Sequence, residues 1–345
     1  MKVALFYGPG IMKIEERPVP EPNKGEVLLK IGACAICGTD LRIFHYGHKN
    51  VTPPQVIGHE IAGEVVKLGE GVVGYKMGDR VIAVTAVGCG HCRFCQRGIY
   101  NLCSSFRALG YNFPGGFAEY MIIPAEAVQQ GNLLKIPSEL PLAEASLVEP
   151  LSCCINGQEY LSMELGERVV IFGAGPIGCL HVELARARGA SLIILIDVAA
   201  ERLAIAKRFS ADHFLNGKDA NLIDKVLSLT DGEGADIVII ACSAKKAQED
   251  SLKVAAKKAR ISFFAGLPKD DPVINFDSNI LHYKEISVYG AFASYHYQYQ
   301  KALALVASRR IDMRKFITSR VKLSEIEKGL KSAESGAGLK VVVEP

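Results

Sequence analysis

The sequence predicts an α/β chain in two parts, a loop-rich antiparallel β domain followed by a doubly wound parallel sheet with helices on both faces. Three observations predict it. The chain has 345 residues, more than a single hydrophobic core ordinarily holds, which favours two domains. Its first 150 or so residues are rich in Gly and Pro and carry short alternating segments such as 26–31 and 79–84, the pattern of antiparallel strands joined by turns. From about residue 165 the texture changes to near-continuous apolar runs at 168–172, 192–197, 236–242 and 261–265, which suit strands buried on both faces of a parallel sheet.

The intervening segments complete the reading. Residues 177–188, 200–209 and 220–229 have helical spacing, and strand alternating with helix builds a doubly wound sheet. The tail predicts helices at 297–308 and 323–332 and a closing strand at 340–343. That lone strand needs a sheet to join, either the parallel sheet or that of the first domain.

Bulk composition narrows the function classes. Apolar residues make up 49% and charged residues 22%, and the net charge is +3. This is a folded chain without the basic footprint of a nucleic-acid binder. The N-terminus enters a strand-like pattern directly, with no signal-peptide pattern. No apolar run approaches the roughly 18–20 residues needed to cross a bilayer. We therefore expect a cytoplasmic protein with no membrane or nucleic-acid partner. The ten cysteines then read as thiols or metal ligands rather than disulfides.

The segment Gly173-Ala174-Gly175-Pro176-Ile177-Gly178 follows an apolar strand and opens a helix. Gly173 permits the tight turn, Gly175 lets the backbone approach a pyrophosphate, and Gly178 lets helix and strand pack closely. The helix N-terminus offers free N–H groups to phosphates, and Pro176 costs nothing in the first turn. Asp197 ends the next apolar run. An acid there accepts hydrogen bonds from the adenosine ribose and repels a 2′-phosphate, which predicts NAD rather than NADP. Arg202, one turn into the following helix, is either an adenine-side group or simply solvated.

Two metal sites are written into the first domain. Cys89, Cys92, Cys95 and Cys103 supply four thiolates at short spacing, a closed tetrahedral set for a structural Zn²⁺. The ferredoxin spacing that would favour an iron–sulfur cluster is absent, and His91 within the loop is superfluous. The second set is scattered: Cys37 in Cys-Gly-Thr-Asp, and His59 and Glu60 in Gly-His-Glu. A thiolate, an imidazole and a carboxylate make a catalytic zinc set with one position left for substrate.

Cys37-Gly38-Thr39-Asp40, then Gly58-His59-Glu60, the four-cysteine lobe, and the glycine loop occur in an order and spacing that resemble the zinc-containing medium-chain alcohol dehydrogenase/reductase family. Within it, Glu149-Pro150-Leu151-Ser152 resembles the polyol dehydrogenase (sorbitol-like) branch. The resemblance implies a GroES-like catalytic domain over 1–150 that regains 291–345, and a Rossmann domain over 151–290. It implies two zinc ions per chain, with the catalytic one in the interdomain cleft. Cys37, His59 and Glu60 match its catalytic zinc positions, and Glu149 matches a position that ligates the zinc or holds its water; the two glutamates can exchange places. Asp40 matches the acid that orients the zinc-bound His, and Thr39 the hydroxyl that takes the alcohol proton. The branch implies a homo-oligomer, a tetramer or dimer.

Two departures bear on substrate. Arg42 stands where many relatives carry a proton-relaying His, and a guanidinium cannot carry a proton. The relay must end elsewhere, on a cofactor ribose hydroxyl and water, or on His45 or His48. Residues Phe292-Ala293-Ser294 lack the Arg-Tyr pair of sorbitol-type enzymes. Candidate cleft walls are Phe44, His45, Tyr46, His48, Tyr111, Phe113, Ser294, Tyr295 and His296, a polar and aromatic set. The expected activity is NAD-dependent oxidation of a secondary hydroxyl on a polyol, sugar acid or sugar-alcohol phosphate to the ketone. The rivals are an L-threonine 3-dehydrogenase, a zinc-free reductase of the same superfamily, and a non-catalytic zinc-stabilised NAD sensor or nucleic-acid module.

Overall fold

The computed structural model describes residues 1–345. The chain divides into two compact units, Met1–Ser152 with Ala293–Pro345, and Cys153–Phe292.

In the first unit the main sheet has seven strands. At its centre the long strands Val27–Ala35 and Glu60–Leu68 pair antiparallel. Buried Val27, Leu29, Ile31, Ile61 and Val65 share one core cluster with Phe6, Phe117 and Ile123. The closing strand is Lys340–Glu344. It lies between Ile317–Lys322, to which it runs parallel, and Val27–Ala35, to which it runs antiparallel. The question the sequence left open is thereby resolved in favour of the first domain. Val341 and Val343 join its core, and Lys340 is carried in with them.

The second unit is a six-stranded sheet, every pair parallel. Numbered along the chain, its strands lie in the order three-two-one-four-five-six, the doubly wound arrangement whose crevice receives dinucleotides. The strands Arg168–Phe172, Leu192–Asp197 and Ala235–Ile240 are apolar on both faces because helices cover both. The strand Ser287–Gly290 forms one edge. No helix is long and apolar enough to cross a membrane.

Candidate active site

Cys37 ends the run out of Val27–Ala35 and caps the helix Gly38–Tyr46. Asp40, fully buried, divides its carboxylate between two tasks. Its Oδ2 accepts the Cys37 backbone N–H at 2.8 Å, and its Oδ1 lies 3.3 Å from His59 Nδ1. Holding Nδ1 in this way leaves Nε2 as the free coordinating nitrogen. His59 and Glu60 open the strand Glu60–Leu68, and both are buried. Ligand atoms of Cys37, His59 and Glu60 lie within 4.8 Å of one another. A soft thiolate, an imidazole and a carboxylate converging this closely fit a Zn²⁺.

Glu149, in the helix Val148–Glu159, stands outside that triplet but within electrostatic reach of Glu60. Ser152 donates to the Glu149 carbonyl at 2.6 Å and lies 2.7 Å from the Ser294 hydroxyl, which holds the turn bearing Glu149.

Lys340 is the residue sequence reasoning missed. Its Nζ lies 2.6 Å from each oxygen of Glu60 and donates to the Ile36 carbonyl at 2.8 Å. Lysine and glutamate are 4% and 0% exposed. Burial pushes the Glu60 carboxyl up to about 7; Lys340 opposes the rise and the Glu149 charge adds to it. Burial acts against the Lys340 charge too, but Glu60 and Cys37 outweigh it and raise its pKa. The one local signal was a lysine opening a strand whose next three residues are valine.

Thr39 accepts a hydrogen bond from Arg42 Nη2 at 3.0 Å. Arg42 is exposed, and its guanidinium has no carboxylate partner. Tyr111 packs between two imidazoles, its ring 5.4 Å from both His59 and His48. Burial pushes its phenol up to about 12, so it is neutral at ordinary pH. The other nominated wall residues divide. His45 Nε2 pairs with Glu334 at 2.8 Å, Tyr46 is 82% exposed, Phe113 lies under the Arg107 guanidinium, and His296 packs on Tyr100 of the cysteine lobe. Phe44 is half-buried against the core, and Tyr295 caps the helix His296–Ala307.

In the cysteine lobe, Cys89, Cys92, Cys95 and Cys103 bring their sulfurs within 4.8 Å of one another. The separations are 4.0 Å for Cys89–Cys95, 3.5 Å for Cys92–Cys95 and 3.8 Å for Cys92–Cys103. A tetrahedral zinc with Zn–S near 2.3 Å requires about 3.8 Å between sulfurs, and the four residues fit it. The Cys89 and Ser105 N–H groups donate to Cys103 Sγ, which suits a thiolate. Gln130 fixes the entrance to the lobe with paired hydrogen bonds to Gly88 N and O. His91 is exposed.

In the second unit the glycine loop has the geometry its sequence predicted. Gly173 has φ 105, and a Cβ there would lie 2.9 Å from the Ala241 carbonyl oxygen. A Cβ at Gly178 would lie 1.7 Å from the Gly173 carbonyl oxygen, so no side chain is tolerated between strand and helix. A Cβ at Gly175 would meet nothing within 4 Å, the open side a pyrophosphate needs. Pro176 and Ile177 open the helix Pro176–Ala187. Asp197 has a structural duty unseen in the sequence: Oδ2 accepts the Ala174 N–H at 2.7 Å and Oδ1 the Ala199 N–H at 2.9 Å. It is 7% exposed and pins the glycine loop from the neighbouring strand. Arg202 is exposed.

Comparison with known proteins agrees with this geometry. Residues 23–137 match the alcohol dehydrogenase GroES-like domain, and residues 176–308 match the zinc-binding dehydrogenase domain. The chain is 33% identical to a sorbitol dehydrogenase of Halalkalibacterium halodurans, covering 99% of this chain and 98% of that protein. It is also 33% identical to an L-threonine 3-dehydrogenase of Pyrococcus horikoshii, covering 99% and 97%. Among solved structures, a zinc-binding dehydrogenase of Sinorhizobium meliloti bound to NADP superposes with a TM-score of 0.93 at 29% identity, covering 100% of this chain and 99% of that one. Two domain matches in the expected order, with relatives similar over their full length, place this chain in the zinc-dependent medium-chain alcohol dehydrogenase family, as an oxidoreductase.

Proposed function

We propose that the enzyme oxidises a secondary hydroxyl of a polyol, sugar acid or sugar-alcohol phosphate to the ketone, with NAD as hydride acceptor. The observation that carries this reading is the convergence of Cys37, His59 and Glu60 within 4.8 Å, with the Tyr111 ring 5.4 Å from His59. When bound there, zinc acts as a Lewis acid on the alcohol oxygen. The chain's own residues do the rest. Cys37 and His59, with Glu60 or Glu149, hold the metal, and Asp40 fixes the imidazole tautomer. Thr39 Oγ accepts the alcohol proton. Arg42 occupies one side of that oxygen as a permanent donor, so the proton leaves Thr39 toward another acceptor, a cofactor ribose hydroxyl and water. The glycine loop and Asp197 hold the dinucleotide. We also expect a homo-oligomer, dimer or tetramer, which light scattering measures.

Thr39, Arg42, Tyr111 and His48 are hydrogen-bonding groups. Donors and acceptors left unpaired by a plain alcohol cost about 1–3 kcal/mol each, which favours a polyhydroxylated substrate. The Arg42 guanidinium favours an anionic one. It also supports a second reading, L-threonine oxidation, in which the substrate carboxylate meets Arg42. The test is kcat/KM from NADH absorbance over polyols, sugar acids, sugar-alcohol phosphates, L-threonine, butanediol and simple secondary alcohols. Preference for 2-butanol would end the polyol reading, and preference for L-threonine would establish the second.

A further inference from the structure

The backbone of His59 is held from a direction the metal site does not use. Thr85 Oγ1 donates to the His59 carbonyl at 3.1 Å. Its one proton is thereby spent, so the 3.0 Å contact between Thr85 Oγ1 and the Tyr299 hydroxyl has tyrosine as donor. The same hydroxyl accepts the Thr85 backbone N–H at 3.2 Å. Proton bookkeeping thus fixes one chain of bonds, from Thr85 N to Tyr299 OH to Thr85 Oγ1 to the His59 carbonyl. Tyr299 is 1% exposed and among the largest fully buried side chains. It lies in the helix His296–Ala307, more than two hundred residues from Thr85.

We propose that Tyr299 is a positioning residue for the catalytic metal site, acting through Thr85 on His59. Asp40 orients the imidazole from its Nδ1 edge. The Tyr299–Thr85 pair sets the main chain from which that imidazole projects. A residue buried for packing alone needs no hydroxyl; phenylalanine would fill the volume without a buried polar group to satisfy. A tyrosine whose oxygen both accepts from and donates to one threonine locks that threonine's backbone and rotamer together. The locked hydroxyl then has one proton to give, and it goes to the residue before Glu60. Removing an outer partner of this kind typically costs 10–100-fold in metal affinity or activity.

The inference rests on reading His59 as a metal ligand, and the experiment separates the two. The probe is Co²⁺ exchanged into the mixed site of the full-length enzyme, with its d–d absorption and its release half-time under a mild chelator as readouts. Tyr299→Phe keeps the ring and removes the hydroxyl, and Thr85→Val removes the bond to His59. Both are expected to shift the cobalt bands, shorten the half-time and lower kcat by about tenfold or more, with KM for NAD unchanged. Thr85→Ser, which keeps the hydroxyl, is expected to restore all three. Tyr299→Phe combined with Thr85→Val is expected to be no worse than Thr85→Val alone, since both break one chain. A Tyr299→Phe enzyme with a lower Tm but wild-type bands, half-time and kcat would reduce Tyr299 to packing and overturn the proposal. A wild-type protein that binds no metal at Cys37 and His59 would overturn the site reading instead.

Discussion

Asp197→Ala tests the proposed cofactor site most sharply, because the structure adds a second job, with a different signature, to the one the sequence suggests for this carboxylate. The first is recognition of the adenosine ribose, which the sequence alone suggested. The second is the pin on the glycine loop through Ala174 N at 2.7 Å, with Ala199 N at 2.9 Å on the other oxygen. Hydrogen bonds to a charged acceptor are worth about 1.5–3 kcal/mol each. Losing the pin alone is expected to raise KM for NAD by roughly 10–100-fold, since about 1.4 kcal/mol is tenfold. Removing the charge also removes its repulsion of a 2′-phosphate, so the ratio of NAD to NADP efficiency is expected to fall. The assay is kcat/KM for both cofactors together with thermal unfolding of the cofactor-free protein. A ribose contact exists only when cofactor is bound, whereas the pin exists without it. A drop in Tm of several degrees in the cofactor-free variant therefore reports the pin. An unchanged cofactor-free Tm with a raised KM would leave ribose recognition alone. Wild-type preference for NADP, or an unchanged KM for NAD, would refute the reading of Asp197.

Three further outcomes are expected. Elemental analysis of undepleted enzyme should give two zinc ions per chain, and mild chelation should abolish activity before the protein unfolds, because the four-cysteine set is closed and the mixed set is open. One zinc or none in active enzyme contradicts this. Arg42→Gln should raise KM roughly tenfold for anionic substrates and leave neutral ones nearly unchanged, as loss of a charge-assisted contact predicts; equal effects on both would remove Arg42 from substrate recognition. His181 is fully buried, and burial pushes its pKa down to about 3 from 6.5. The unfolded chain therefore binds the extra proton between those values, so this contribution to stability is complete above about 6.5 and is lost as pH falls. At pH 5 the loss is about 2 kcal/mol, and urea unfolding at pH 7.5 and 5 should show that much less pH dependence in His181→Leu than in wild type; equal dependence would mean that His181 is protonated in the native state.

The parts of the fold legible in the sequence are those where burial is uniform along an element. The run at 192–197 coincides with the strand Leu192–Asp197, because helices cover both faces and every position before Asp197 is apolar. The run at 261–265 belongs to a strand, Ala255–Phe263, that begins earlier. Lys257 and Lys258 interrupt its apolar pattern, and Lys258 takes φ 60, an irregularity that leaves both lysines exposed. The helix Gly38–Tyr46 gave little signal, since it opens on Gly-Thr-Asp and is fixed by a tertiary duty of Asp40. The glycine loop was readable because glycine is informative wherever a Cβ would collide, as at Gly173 and Gly178.

The candidate metal site was readable only as a roster of donors. Cys37, Asp40 and Glu60 gather around one imidazole, and burial acts against the Glu60 charge. Burial is the largest influence on Glu60 and, even with Lys340 opposing it, the carboxyl is pushed up to about 7. The structure shows how the charge is balanced: Lys340 arrives on the last strand, 280 positions away in sequence, and lies 2.6 Å from the Glu60 carboxylate. No local pattern could have named it, because the pairing exists only once Lys340–Glu344 has joined Val27–Ala35. The same holds for Tyr299 and Thr85, 214 positions apart. Donor identity is thus encoded locally in Cys-Gly-Thr-Asp and Gly-His-Glu, while donor geometry and charge are encoded by the return of the C-terminal segment to the first unit. A chain ending before Lys340 would keep every proposed ligand in its sequence. It would also leave Glu60 buried without its cation, a loss of about 3–5 kcal/mol when one partner of a buried pair is removed. The candidate metal site and the closing strand are for that reason one structural unit.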